Sequence, residues 1–182
     1  MSCWPYIQSD LYRYSGKVSL YLFLKHLARN KSFKYSFWLR LARHQNWLVR
    51  TIAKCFHRHL SGKYLLEIPV STDIGYGLYI GHHMCVVINE TAKIGNNVNL
   101  SQFTTIGSNE GNAAVIGDNV YIGPSVCLVE NVQIGNDVTI GAGSVVTRDI
   151  PPQATVAGVP AKVLNFNNAG RYVQNRWPLK SA

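Results

Sequence analysis

Ile116-Gly-Asp-Asn-Val-Tyr-Ile122-Gly-Pro-Ser-Val-Cys-Leu128-Val-Glu-Asn-Val-Gln-Ile134-Gly-Asn-Asp-Val-Thr-Ile140-Gly-Ala-Gly-Ser-Val-Val146 places an aliphatic residue at every sixth position, usually followed by glycine. A period of six predicts a solenoid in which each hexad is one short flat strand and three hexads close a coil. The fifth position of each hexad is small or aliphatic (Val120, Val126, Val132, Val138, Ser144), so both positions are expected to point into a narrow interior. Gly, Asn and Asp fill the corners, where the backbone needs unusual dihedrals.

Upstream, the spacing runs back through Ile106, Leu100, Ile94 and Ile88 to Ile80 and Ile74, but it slips twice. Ile80 to Ile88 is two residues too long, and the excess holds His82 and His83. Ile106 to Ile116 is four too long and holds Gly107 to Val115. A regular coil cannot absorb extra residues, so both must loop outward, where function tends to sit. Twelve such strands predict about four coils, a short prism whose open ends call for capping or oligomerisation.

Before the repeat, Ser9 to Leu60 reads as helical. Leu20, Phe23, Leu24 and Leu27 recur at three- and four-residue spacing, as do Phe37, Leu41, Leu48, Ile52 and Phe56. Lys31-Ser32 is the expected break, with Ser32 as cap, and Ser61-Gly62 the expected stop. The organisation expected is a basic helical region over 1–66, the repeat over 67–164 and a C-terminal tail over 165–182. Residues 1–66 carry twelve Lys and Arg against Asp10 alone, a net +11, and the rest of the chain is −2. That asymmetry favours an acidic partner such as a membrane surface or a diphosphate-linked substrate. No nucleic-acid motif accompanies it.

The first residues carry Trp4, Asp10 and Arg13 rather than an apolar run, so no signal peptide is expected, and Val18 to Leu24 is too short to span a bilayer. The location expected is cytoplasmic, with the inner face of the cytoplasmic membrane as a candidate docking surface. Cys3, Cys55, Cys85 and Cys127 are scattered, which points neither to a disulfide framework nor to zinc. His82 and His83 lack the third histidine that a zinc site of this repeat type would need, so no metal is expected.

The repeat resembles the hexapeptide-repeat acyltransferases. The most specific stretch is Ile140-Gly-Ala-Gly-Ser-Val-Val-Thr-Arg-Asp-Ile-Pro-Pro followed by Val156-Ala-Gly-Val-Pro-Ala-Lys162. The resemblance implies a mainly β fold, a left-handed parallel β-helix behind an N-terminal α-helical region. It also implies acetyl-CoA as co-substrate and a homotrimer with sites between subunits. Within the family, Glu67, Ile74-Gly75-Tyr76-Gly77 and His82 are similar to the serine acetyltransferase branch. Ser9-Asp10-Leu11-Tyr12-Arg13-Tyr14 resembles the opening of bacterial polysaccharide O-acetyltransferases.

The resemblance gives His82 the role of general base, for which imidazole suits because its pKa lies near neutrality. Glu67, fifteen residues earlier, would orient the ring and stabilise the imidazolium. It further implies that Gly123, Gly141, Ala142 and Ala157 let the cofactor approach, that Arg148 and Lys162 meet its phosphates, and that Thr105 and Gly107 face the thioester. An amide near the last two would stabilise the oxyanion.

This chain departs from serine acetyltransferases on the acceptor side. Gly81 stands where they carry Asp, Asn112 and Ala113 stand where they carry Arg-His, and a C-terminal isoleucine is replaced by Lys180-Ser181-Ala182. Losing the arginine removes a bidentate partner for a carboxylate. The expected acceptor is therefore a sugar hydroxyl in capsular or other surface polysaccharide synthesis, met by Tyr76, Tyr79, Asn89, Glu90, Gln102 and Asn112. The alternatives are a serine O-acetyltransferase and a non-catalytic trimeric scaffold.

Overall fold

Four helices lead into the repeat: α1 (Trp4–Ser15), α2 (Leu20–Arg29), α3 (Lys31–Leu41) and α4 (Trp47–Tyr64). The computed structural model describes residues 3–179. Lys180-Ser181-Ala182, on which the reading of a missing isoleucine rests, lies outside them. The break between α2 and α3 falls on Asn30 rather than Lys31-Ser32: its backbone N–H closes α2 on His26 O, and its side chain accepts from the Phe33 amide at 3.0 Å. Nor does Gly62 stop α4. The helix runs on to Tyr64, and Leu65 takes the left-handed conformation (φ 54°) that turns the chain into the first coil.

The face of α4 that packs inward is Ala53, His57, Leu60 and Tyr64, so Leu48 and Ile52 stand on the outward side, contrary to the periodic reading, and Phe56 is half-exposed with its ring stacked on Trp38 at 4.3 Å. Leu20 and Leu24 of α2 are outward too, whereas Phe23 and Leu27 pack on Ile7, Leu11 and Phe33. Three- and four-residue spacing marks one helical face but cannot say whether a neighbour exists to cover it.

The repeat forms a parallel β-solenoid of five coils. Face A stacks β1 (Leu66–Glu67), β4 (Val86–Ile88), β7 (Thr105–Gly107), β10 (Cys127–Val129) and β13 (Val145–Val146). Face B stacks β2 (Asp73–Ile74), β5 (Lys93–Ile94), β8 (Val115–Ile116) and β11 (Gln133–Ile134), and Ile150 bridges to Ile134 above them. Face C stacks β3 (Tyr79–Ile80), β6 (Asn99–Leu100), β9 (Tyr121–Ile122), β12 (Thr139–Ile140) and β14 (Thr155–Ala157), with β15 (Lys162–Asn165) antiparallel on its last edge. The fifth coil comes from Leu66–Glu67 and Ile150–Val156, where the hexad spacing is lost.

Aliphatic residues ladder up the inside, and Ile80, Leu100, Ile122, Ile140 and Val156 are fully buried in one column. Each such side chain contributes roughly 1.5–3 kcal/mol of hydrophobic stabilisation. Two corners carry one positive-φ residue per coil: Leu65, Cys85, Phe103, Ser125 and Gly143 between faces C and A, and Gly77, Asn97, Asn119, Asp137 and Gln153 between faces B and C. The Asn and Asp pairs of the sequence sit at the second of these for that reason.

The open edge of the first coil is closed by side chains of α1 and α3. Ser9 Oγ accepts from Gly77 N–H (2.8 Å), Asp10 from Leu78 N–H (2.8 Å), and Tyr14 Oη both accepts from Ile80 N–H and donates to Ile80 O. Arg13 donates to Gly77 O, and Arg40 to Ile74 O and Gly75 O. Backbone groups of an edge strand, which would otherwise invite another chain, are thus satisfied from within. The run Ser9 to Tyr14 therefore has an architectural role here. After β15 the tail returns along the corner between faces B and C, through Asp137, Asn99 and Asn97 to Arg13.

Candidate active site

The first excursion is Gly81 to Cys85, between β3 and β4. Its ends are tied down by Gly81 N–H to Leu100 O (2.8 Å) and Cys85 N–H to Tyr64 O (3.3 Å). Between them the chain turns, Met84 N–H bonding His82 O, and His82 projects exposed. His83 is half-buried with its edge on the Tyr64 ring at 5.2 Å. Desolvation, Lys31 and His82 together hold the His83 pKa below its ordinary value.

Glu67 points outward on face A, one coil below Val87, in a groove of about 530 Å³ between α4 and the first coil. Among the described residues the only ion pairs are Asp10–Arg40 and Asp137–Arg176, so Glu67 and His82 share this side of the prism without touching.

The second excursion, Ser108 to Ala114, leaves the opposite edge of face A, between β7 and β8. Glu130, on the coil above, gathers its base: the carboxylate accepts from Ser108 Oγ and from the amides of Asn109 and Glu110. Those bonds hold the Glu130 carboxyl below its usual range. From the coil below, Asn89 donates to Ser108 O and Thr91 Oγ1 accepts from Ala113 N–H. Sequence reasoning missed Glu130. The signal was a carboxylate at the turn of the next coil, level with the long slip.

The expected acceptor residues fall into separate groups. Gln102 lies at the corner between faces C and A, with its buried Oε1 unpaired. Tyr79 is on face C, packed on Tyr14 (4.7 Å) beside Arg13. Tyr76 is occupied by stacking on Tyr6 at 4.2 Å. Asn89, Glu90 and exposed Asn112 lie at the edge of the second excursion, with Glu90 accepting from Ser71 at 3.3 Å. Within one chain the width of face A separates the two excursions.

Gly81, Ser101, Gly123, Gly141 and Ala157 form a column at the corner of His82, each of the first four giving its N–H to the next coil. A Cβ on Gly123 would lie 2.8 Å from Ile140 O, and one on Gly141 3.0 Å from the Ala157 Cβ. Coil stacking alone therefore demands small residues at Gly123 and Gly141. Ala142 and Gly143 differ: both are exposed, and a Cβ on Gly143 would meet nothing within 4 Å. Thr105 faces outward on face A and Gly107 ends β7 at the root of the second excursion. Lys162 opens β15 opposite Ala157, while Arg148 lies at the corner between faces A and B; both are exposed. Among the described residues no helix is long and apolar enough to cross a membrane.

Residues 113–148 match the family model of the bacterial transferase hexapeptide (six repeats). The chain is 39% identical over 103 residues to a serine acetyltransferase of Synechococcus elongatus, covering 54% of this chain and 42% of that protein. Soybean serine acetyltransferase complexed with serine superposes with a TM-score of 0.74 at 30% identity, covering 90% of this chain and 70% of that one. A serine acetyltransferase in complex with CoA gives 0.72 at 25% identity, covering 87% and 68%. The chain spans between a third and about half the length of the curated relatives it matches. These matches overturn the expected sugar acceptor, the role in capsule or surface polysaccharide and the likeness to polysaccharide O-acetyltransferases, because the similar proteins acetylate serine by name. Missing acceptor contacts had argued against serine, but absence of one clamp does not identify another substrate.

Proposed function

We propose that this chain, which belongs to the hexapeptide-repeat transferase family, is an acetyl-CoA-dependent serine O-acetyltransferase. The observation that carries the reading is its likeness, over nine-tenths of its length, to a serine acetyltransferase complexed with serine. The exposed His82 on a loop whose two ends are anchored supports it from the chemistry side.

His82 removes the serine hydroxyl proton as the oxygen attacks, so transfer is direct and no acyl-enzyme forms. Acetyl-CoA supplies the electrophilic thioester carbonyl, and the proton held on His82 leaves with the CoA sulfur. Glu67 orients the imidazole and stabilises its cation once acceptor binding draws the two together. The ridge of Ala142 and Gly143 fits a cofactor lying along the corner, since nothing crowds it. Thr105 and Gly107 flank the thioester, Gly123, Gly141 and Ala157 keep the corner low, and Arg148 and Lys162 receive the phosphates. Because the two excursions lie on opposite edges of face A, a site using both needs a second copy of the chain. A homotrimer supplies three such sites, with Asn89, Glu90 and Asn112 of one subunit facing Tyr79, Gln102 and His82 of the next.

The test is thiol release by the purified full chain with acetyl-CoA and L-serine, with O-acetylserine identified by mass. Serine-dependent release is expected; a rate equal to the acceptor-free hydrolysis rate sinks the reading.

A further inference from the structure

Beside the first excursion, α2 and α3 meet at Asn30 and border an open groove of about 430 Å³ against Gly81 and His83. Its wall carries Lys25, Arg29 and Lys31 together with His26 and His83. No acid lines it, and the only carboxylate of the helical region, Asp10, is buried against Arg40. Asn30 caps the Phe33 amide, and the first-turn amides of Lys31 and Ser32 have no intrahelical acceptor to satisfy them. The α3 helix, eleven residues long, adds the positive end of its dipole.

Lys25, Arg29 and Lys31 border one groove, and no carboxylate faces them from its wall. The two imidazoles register this field: His26 and His83 are both held below their ordinary pKa, by burial first and by Lys25 and Lys31 next. A bound anion would be attracted by all three charges. The groove also adjoins the residues on either side of His82.

We infer that Lys25, Arg29, Lys31 and His83 form a binding site for an oxyanion, a carboxylate or phosphate, carried by a molecule that reaches the His82 loop. Only the assignment of its occupant rests on the proposed acetyl transfer; the site itself does not.

Thermal unfolding of the full chain, titrated with inorganic phosphate at constant ionic strength, tests the site directly. The unfolding midpoint should rise and saturate with phosphate. Replacing Lys25, Arg29 and Lys31 together by glutamine should raise the phosphate needed by about tenfold or more. These side chains are exposed, so the fold should survive the change. An equal charge removal on α4, at Arg50, Lys54 and Lys63, should leave the titration unchanged. A phosphate effect that does not saturate, or that both triple variants lose equally, overturns the inference.

Steady-state kinetics then name the occupant. A raised KM for serine in the first variant assigns the acceptor carboxylate, and a raised KM for acetyl-CoA assigns a cofactor phosphate. Phosphate binding without either change assigns a separate anionic effector. If serine supports no turnover at all, the phosphate titration still decides the site on its own.

Discussion

Asp10 and Arg40 form a closed pair between α1 and α3, with Oδ2 and Nε 2.9 Å apart and side chains 0% and 3% exposed. Each also reaches the first coil, Asp10 through the Leu78 amide and Arg40 through the carbonyls of Ile74 and Gly75. Burial pushes the Asp10 carboxyl upward, and the Arg40 charge opposes it. Removing one partner leaves the other as an uncompensated buried charge, so Asp10→Ala should cost about 3–5 kcal/mol in urea unfolding. Replacing both by Leu and Met should not restore stability, because the coil carbonyls lose their donor. A loss below about 1 kcal/mol for the single change would contradict this latch.

Much of the solenoid was legible because period six states both the strand length and the inward column. The excursions were legible too, since each breaks that period. What the sequence hid were contacts made across the fold. Glu130 is distant in sequence from most of the loop it organises, and Asp10 from the coil edge it caps. Leu48, Ile52 and Phe56 carry a valid helical spacing, yet whether a neighbour covers them is a tertiary matter. Gly62 looked like a stop, but the left-handed turn falls where the coil begins, at Leu65.

His82→Ala should lower serine-dependent turnover by roughly a hundredfold or more, with the unfolding curve unchanged because the side chain is exposed. Glu67→Gln should lower turnover by less, because the amide no longer balances the charge that His82 takes up during transfer. Glu67→Gln turnover equal to the wild type would remove Glu67 from the catalytic pair.

Glu130→Gln should loosen the second excursion without unfolding the coils. The neutral amide loses the charge that draws in Ser108 Oγ and the Asn109 and Glu110 amides. Limited proteolysis should cut between Ser108 and Asn112 faster than in the wild type. Because these bonds depress the Glu130 pKa, the wild-type loop should keep its protection until the pH falls below the ordinary carboxylate range. Equal cleavage rates at neutral pH would show that Asn89 and Thr91 suffice.

His57 should make stability pH-dependent. Its Nε2 lies 3.0 Å from Tyr35 Oη, which is also within reach of Leu66 O. Burial holds the His57 pKa below its ordinary value. The unfolded chain, titrating near about 6.5, binds the proton first. Stability is therefore complete above that pH and falls as pH drops through the folded value. The urea midpoint should decrease from pH 7.5 to 5.5, and His57→Gln should flatten the slope. His26 and His83 are depressed as well, so a residual slope should remain.

Two glycine-to-alanine changes should have opposite signs. At Gly117 a new Cβ would lie 2.9 Å from the Asn136 backbone nitrogen and 3.0 Å from the Gly135 carbonyl carbon, and it would also strike Asn136 Oδ1. Neighbouring backbone cannot move aside without opening the coil, so Gly117→Ala should cost on the order of 1–3 kcal/mol. Gly62 lies inside α4 with nothing within 4 Å of the added methyl. There the substitution removes unfolded-chain freedom from a helical position, and Gly62→Ala should stabilise by about 0.5–1 kcal/mol. Urea unfolding of the two variants side by side gives both signs. Destabilisation at Gly62 would mean that α4 does not run through it, and neutrality at Gly117 would mean that adjacent coils stack less tightly than their hydrogen bonds require.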